Sequence, residues 1–200
     1  MKLDIPDREF AGLIFDCDGT LADTMPLHYR AWTRLLDELG APFPEELFYS
    51  LGGKPSATIL ELLRDQHGVT VQDVPGAAAR KEGYFLDLLH EVRPIEPVLQ
   101  YARAWHGRRP LAVASGGYRS NVELTLEAIG IRSWFDTLVC VEDYERGKPF
   151  PDAFLEAARR LRVPPEQCLV FEDSPLGVQA AAAAGMQYVL VPRTDARYSM

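Results

Sequence analysis

The sequence predicts an α/β protein, a doubly wound parallel sheet interrupted by a small α-helical insert. Three observations predict it. Several runs of four or five residues are apolar throughout rather than alternating, as strands covered on both faces are. Amphipathic helical patterns separate these runs, which is the alternation of an open parallel sheet. Between the first run and the second, residues 25–92 hold no convincing strand, only helical patterns.

The first strand is AGLIF (11–15), which ends abruptly in Asp16, Cys17, Asp18 and Gly19. The insert follows. Ala31, Trp32, Leu35, Leu36 and Leu39 recur at helical spacing before Gly40, and Ile59, Leu60, Leu62 and Leu63 do so before Gly68. Phe85, Leu88 and Leu89 mark a further helix. The expected division is therefore a main domain over 1–24 and 93–200 and an inserted helical domain over 25–92. The second strand is PLAVA (110–114), followed by a helix over Asn121 to Ile129 carrying Val122, Leu124 and Leu126. TLVCV (137–141) is the third strand. The next helix spans Pro151 to Leu161, with proline at its first helical position and Phe154, Leu155, Ala158 and Leu161 on one side. CLVF (168–171) is the fourth strand. Ser174 and Pro175 then open a helix that runs through QAAAAAG to Gly185, its alanines suited to a close helix–sheet contact. YVLV (188–191) is the fifth strand.

The 200-residue chain is long enough for a real core, and its 47% apolar and 25% charged residues are an ordinary globular mix. A net charge of −8 argues against nucleic acid or an anionic membrane as partner. No signal-like segment opens the chain, and nowhere do the apolar residues run long enough to span a bilayer. Cys17, Cys140 and Cys168 lack metal-site spacing and read as reduced, buried thiols. A soluble cytoplasmic protein is expected, and a monomer is compatible with this composition.

Ligands of open parallel sheets bind beyond the carboxyl ends of the strands. The first strand delivers Asp16 and Asp18, and the second delivers Ser115, Gly116 and Gly117. Beyond the third come Glu142 and Asp143, read as loop structure, and then Gly147, Lys148 and Pro149. The fourth delivers Glu172, Asp173 and Ser174 at a helix N-terminus. Two bare carboxylates about 4 Å apart repel by roughly 4 kcal/mol at an effective dielectric of about 20, so positive charge must be supplied. Lys148 supplies part, and the remaining acidic groups call for a hard divalent cation. Magnesium, which prefers oxygen ligands and substrate phosphates, fits; no histidine or cysteine cluster suggests zinc. An EF-hand is excluded because Leu27 stands where its bidentate glutamate would be. A metal, a lysine, a serine hydroxyl and glycine amides suit a phosphoryl group, which one aspartate can attack while the other moves a proton. Singly, each element reads as a turn, a helix cap or a solvated loop; their joint placement at successive strand ends is what points to catalysis.

With these residues in view, FDCDGTLADT, VASGG, GKPFPDAF and FEDSPLGVQAAAAAGM resemble the four motifs of the haloacid-dehalogenase-like hydrolase superfamily. The resemblance spans the chain and implies a Rossmann-like core with a cap domain. It further implies Asp16 as nucleophile, Asp18 as general acid/base, and Ser115, Gly116 and Lys148 as phosphate binders. Asp16, Asp173 and the Asp18 carbonyl are implied as magnesium ligands, with Glu172 a further ligand or a group behind them. Dehalogenases of the superfamily generally lack the second aspartate, so Asp18 favours a phosphatase. The insert resembles the small cap of the β-phosphoglucomutase-like subgroup. TMPLHYRAW matches its first helix and places His28 and Trp32 near the substrate, with Lys54 as a further candidate. AWHGRRPLAVASGG looks closest to bacterial phosphatases acting on fructose-1-phosphate or 6-phosphogluconate. In one departure, Ser56 falls where the mutases carry an arginine for a second phosphate; Arg80 or Lys81 could supply charge instead, though both read first as solvated helix residues.

The expectation is a magnesium-dependent phosphatase of a small phosphorylated metabolite. A hexose-phosphate mutase is the alternative enzyme. A receiver-like phospho-accepting module is the non-enzyme alternative, against which the chain length and the insert argue.

Overall fold

The first strand, β1 (Gly12–Phe15), lies at the centre of the sheet. Around it run β2 (Leu111–Ala114), β3 (Thr137–Val139), β4 (Cys168–Glu172) and β5 (Gln187–Leu190), all parallel, in the order β3-β2-β1-β4-β5. This computed structural model describes residues 2–193. Phe15 pairs in register with Val113 on one side and with Phe171 on the other. Asp16 therefore leaves the sheet between the ends of β2 and β4, at the crevice where the strand order reverses.

Side chains alternate across the strands, so each face has its own core. Leu13, Phe15, Val113, Leu169 and Phe171 face α5 (Glu96–Trp105) and α6 (Arg119–Ala128), which add Val98, Ala102, Val122 and Leu126. Phe15 stacks on Phe171 with ring centroids 4.8 Å apart, worth about 0.5–1.5 kcal/mol beyond burial. Ile14, Ala112 and Val170 face α7 (Asp152–Leu161) and α8 (Pro175–Ala183). Ala180 and Ala181 lie in that second core, so small side chains there let α8 approach the sheet closely.

Between β1 and β2 the chain forms α1 (Met25–Glu38), α2 (Glu45–Ser50), α3 (Ser56–His67) and α4 (Val74–Leu88). They enclose a cluster of their own, built on Trp32, Leu35, Leu36, Phe48, Leu60 and Leu63. The Asp73 side chain caps α4 by accepting from the Gly76 amide, an arrangement worth about 1 kcal/mol. Gly68 ends α3 in the left-handed region at φ 68°, where only glycine is unstrained. The segment leaves and rejoins the sheet at one place, since the Asp23 amide donates to the Arg93 carbonyl and Ala22 bridges Pro94.

Several boundaries differ from the sequence reading. β3 stops at Val139; Cys140 and Val141 turn away because the Cys140 amide is taken by the Asp143 carboxylate in a short 3-10 turn. Pro151 flanks α7 as its cap instead of opening it, and α6 starts earlier, at Arg119. α2 and α5 went unread. α2 is only six residues long, too short to show a period. Cys17, Cys140 and Cys168 are free and buried, as expected. Among the described residues no helix is long and apolar enough to cross a membrane.

Candidate active site

The strand ends meet in a cleft roofed by residues from α1, α3 and α4. Asp16, Asp18, Ser115, Gly116, Glu172 and Asp173 line its floor, and His28, Trp32 and Lys54 line its roof. Lys148 lies under the floor, joined to it through Asp16. All the side chains singled out from the sequence thus gather around one space.

Lys148 is 3% exposed, and its Nζ donates to Asp16 Oδ1 and to Glu172 Oε2, each at 2.6 Å. Burial would strip its proton, but the two carboxylates outweigh burial and hold its pKa above the usual lysine range. Burial pushes the Asp16 carboxyl up, to about 8; the Glu172 charge adds to this and Lys148 opposes it. Asp173 is raised well above the carboxylate range for the same two reasons, burial and then Glu172. Glu172 Oε1 accepts from both the amide and the hydroxyl of Ser174, at 3.0 and 2.7 Å. Ser174 in turn accepts from the Gly177 amide and caps α8. Both oxygens of Glu172 are therefore occupied, one by the lysine and one by the helix cap.

Glycines make this close fit possible. Gly19 sits at φ 83°, and a Cβ there would overlap the Asp173 carboxyl. At Gly116 a Cβ would lie 2.7 Å from the carbonyl oxygen of Gly53, so the loop before α3 rests directly on this turn. Ser115 is 1% exposed; its Oγ accepts from the Gly117 amide at 3.0 Å and its carbonyl accepts from the Tyr144 hydroxyl at 3.1 Å. That leaves the serine hydrogen available to a ligand.

Asp18 has different surroundings. Thr24 Oγ1 donates to its Oδ1 at 2.7 Å, and His28 Nε2 lies 3.2 Å from the same atom. Burial would raise this carboxyl, but His28, whose Nε2 faces it, and Thr24 outweigh it and hold the pKa at about 2. The His28 ring stacks on Phe85, with centroids 3.8 Å apart. Its Nδ1 is 2.8 Å from Lys81 Nζ. A lysine ammonium only donates, so Nδ1 accepts and the ring hydrogen sits on Nε2, aimed at Asp18.

Lys81 corrects the sequence reading. It is 3% exposed and reaches into the cleft between His28 and Glu82, with Trp32 and Phe85 rings beneath its ammonium. Arg80 is exposed, 3.7 Å from Glu38. Glu82 and Asn121 were missed altogether. Glu82 accepts from Ser56 Oγ and Asn121 Nδ2, both at 2.6 Å, and from Lys81 at 3.2 Å. The signal was present: Lys81 falls between Ala77, Ala78 and Phe85 on the buried stripe of α4. Glu142 and Asp143 are structural, as expected. Glu142 accepts from the Arg119 amide, and Asp143 pairs with the Arg119 and Arg160 side chains.

Asp16, Glu172 and Asp173 each offer an oxygen, all within 4.8 Å of one another. Three acidic groups, two buried and one half-buried, face a single ammonium, and all the donors are hard oxygens, which fits magnesium. Glu172 accepts three protein donors, two on Oε1 and one on Oε2, so Asp16 and Asp173 are the carboxylates freer to take an ion.

The chain matches the model of the haloacid dehalogenase-like hydrolase family over residues 10–185. It is 38% identical over 182 residues to the fructose-1-phosphate phosphatase YqaB of Escherichia coli, a match spanning 91% of this chain and 96% of that one. It is 31% identical over 182 residues to the phosphorylated carbohydrates phosphatase of Thermotoga maritima, spanning 88% and 82%. Among solved structures, the β-phosphoglucomutase of Clostridium difficile superposes with a TM-score of 0.77 at 26% identity, covering 90% of this chain and 83% of that chain.

Proposed function

The chain belongs to the haloacid dehalogenase-like hydrolase family, and from that premise we propose a magnesium-dependent phosphatase of small sugar or sugar-acid monophosphates, of the fructose-1-phosphate or 6-phosphogluconate type. The described residues of 1–24 and 93–200 form its catalytic core, and residues 25–92 form a cap over the substrate. The observation that carries this reading is the convergence of Asp16, Asp18, Ser115, Lys148 and Asp173 on one cleft from separate strand ends. The buried free thiols suit a reducing compartment, and the cytoplasm is the location proposed.

The reaction runs in two displacements. In the first, an Asp16 carboxylate oxygen attacks phosphorus, and the bond from phosphorus to the leaving oxygen breaks. Asp18 gives that oxygen a proton, so the alcohol departs neutral and the phosphoryl group stays on Asp16 as an aspartyl-phosphate. In the second, Asp18 takes a proton from water, the water oxygen attacks phosphorus, and inorganic phosphate and free Asp16 result. The Ser115 hydroxyl, the Gly116 turn and the Lys148 ammonium hold the phosphoryl oxygens. A magnesium ion at Asp16 and Asp173 would neutralise charge on those oxygens.

Asp18, at about 2, rests ionised. An anionic phosphoryl group arriving beside it raises its proton affinity, which loads it for the first step. His28 fixes its direction by donating from Nε2. The mutase alternative is disfavoured, because Ser56 donates to Glu82 and offers no charge to a second phosphate.

Phosphate release across sugar phosphates, sugar-acid phosphates and nucleotides tests the reading, with Asp16→Asn as control. Sugar phosphates should lead the panel, a chelator should silence turnover, and the variant should fold but lose at least about 10³-fold in rate. Near-normal hydrolysis by the variant would remove the nucleophile assignment, and a nucleotide preference would overturn the substrate class.

A further inference from the structure

We propose that Glu82 is a specificity-determining residue, selecting leaving groups whose remote end carries neutral hydroxyls and rejecting those with a second anionic group there. This rests on the phosphatase reading above and narrows it, favouring sugar and polyol monophosphates over sugar-acid phosphates and bisphosphates.

Glu82 lies at the end of the cleft away from the reacting atoms. It stands three hydrogen bonds beyond Asp18, along His28 at 3.2 Å, Lys81 at 2.8 Å and Glu82 itself at 3.2 Å. Its side chain lines the cavity beside those of Ser56 and Asn121. Each donor of this wall gives hydrogen inward. Ser56 gives its one hydrogen to Oε1, Asn121 gives an amide hydrogen to Oε2, and Lys81 divides its ammonium between Glu82 and His28.

What such a wall still offers a ligand is mainly acceptors: a lone pair on Oε2, which has one donor, and the lone pairs of Ser56 Oγ. A hydroxyl brings the hydrogen those acceptors want. A carboxylate or phosphate brings none and meets a like charge. Burial favours the neutral Glu82, but the neighbouring Lys81 and His28 outweigh it and keep the carboxyl below its ordinary range.

The backbone beside Lys54 sits over the phosphate turn: its neighbour Gly53 rests on Gly116 and lies close to Ser174 and Lys148. Lys81 is 3% exposed, and its ammonium is already shared between His28 and Glu82.

The test compares sorbitol 6-phosphate with 6-phosphogluconate, open-chain esters that differ only in whether the far carbon is a hydroxymethyl or a carboxylate. Wild-type kcat/KM should favour the polyol by about tenfold or more, the size of a like-charge contact at moderate dielectric. Glu82→Gln should narrow that ratio about tenfold by gaining on the acid. Equal wild-type constants overturn the proposal, whatever the variant does. A variant that loses equally on both esters overturns it too, since that marks Glu82 as a positioning residue for Lys81. Should E82Q not fold, the wild-type ratio alone decides. Hydrolysis of p-nitrophenyl phosphate but of no sugar or polyol ester overturns the parent substrate reading, and this proposal with it. Turnover of both esters without discrimination overturns only this proposal.

Discussion

Glu172→Gln separates two roles that the sequence left open for this carboxylate, metal ligand or anchor for Lys148. The side chain is 1% exposed, and no water replaces a lost partner there. Its Oε1 takes two donors from Ser174, so the amide oxygen of a glutamine must stay on that side. The amide nitrogen then faces Lys148 Nζ across the 2.6 Å that the carboxylate spanned. Two donors meet where a charge-assisted bond had been, and such a bond is worth about 1.5–3 kcal/mol. Breaking a buried pair from one side costs about 3–5 kcal/mol; Lys148 keeps Asp16, so the lower end applies, about 3 kcal/mol.

For a chain of this size, 1 kcal/mol moves the melting temperature by about 2–4 °C, so E172Q should melt about 6–12 °C lower. Lys148, left on one anchor, misplaces the phosphoryl group, and kcat/KM should fall by about 10²-fold. Asp173→Asn should raise the magnesium requirement more than E172Q does, because both Glu172 oxygens already accept from protein donors. Thermal unfolding, phosphate release and a magnesium titration read these effects. A melting temperature within about 2 °C of wild type would refute the packing argument. A larger magnesium defect in E172Q than in D173N would make Glu172 the ligand.

Asp18→Asn should cost far more on alkyl phosphates, whose leaving oxygen needs a proton, than on aryl phosphates, and steady-state kinetics on matched esters check this; equal losses would remove the acid role. Gly116→Val places a side chain against the Gly53 carbonyl, 2.7 Å from its first carbon, so the loop before α3 must lift. The expected result is a kcat/KM loss of about tenfold or more with the melting temperature nearly kept, and unchanged kinetics would contradict the contact. In chelator, stability should fall as pH rises from about 5 to about 8. Asp16, raised from 3.8 to about 8, binds its proton more tightly folded than unfolded in that window, so folding is favoured at the acidic end. Magnesium should restore the melting temperature at the alkaline end, and a flat profile in chelator would discount the Asp16 shift.

The parts of this molecule that were legible from sequence share one property: each is local. An apolar run ending in Asp16 and Asp18 states its strand and its strand end within a few residues. So do LAVA before Ser115 and CLVF before Glu172, and parallel-sheet geometry then brings those ends together. Ser174 capping α8 is equally local, since its partner is the Gly177 amide. Lys81 shows where such reading stops. A lysine followed by a glutamate on a helix is ordinarily a solvated pair, and nothing nearby in the chain offers either a buried partner. Their partners come from far away: His28 on α1, Ser56 on α3 and Asn121 on α6. Burying them is tolerable only because all of these arrive together, since a buried charge lacking even one partner costs several kcal/mol, about 3–5 for a broken pair. The stripe of α4 carried the clue, because a residue spaced with Ala77, Ala78 and Phe85 faces inward whatever its charge. Position on the helix outranks residue type there. The same distant convergence that hides the Lys81–Glu82 wall from a reader of the chain makes it depend on the inserted helices meeting those beside the sheet. Asn121 Nδ2 on α6 reaches Glu82 on α4 at 2.6 Å, so the wall is whole only where the two are in contact, which is the arrangement in which a substrate would be enclosed.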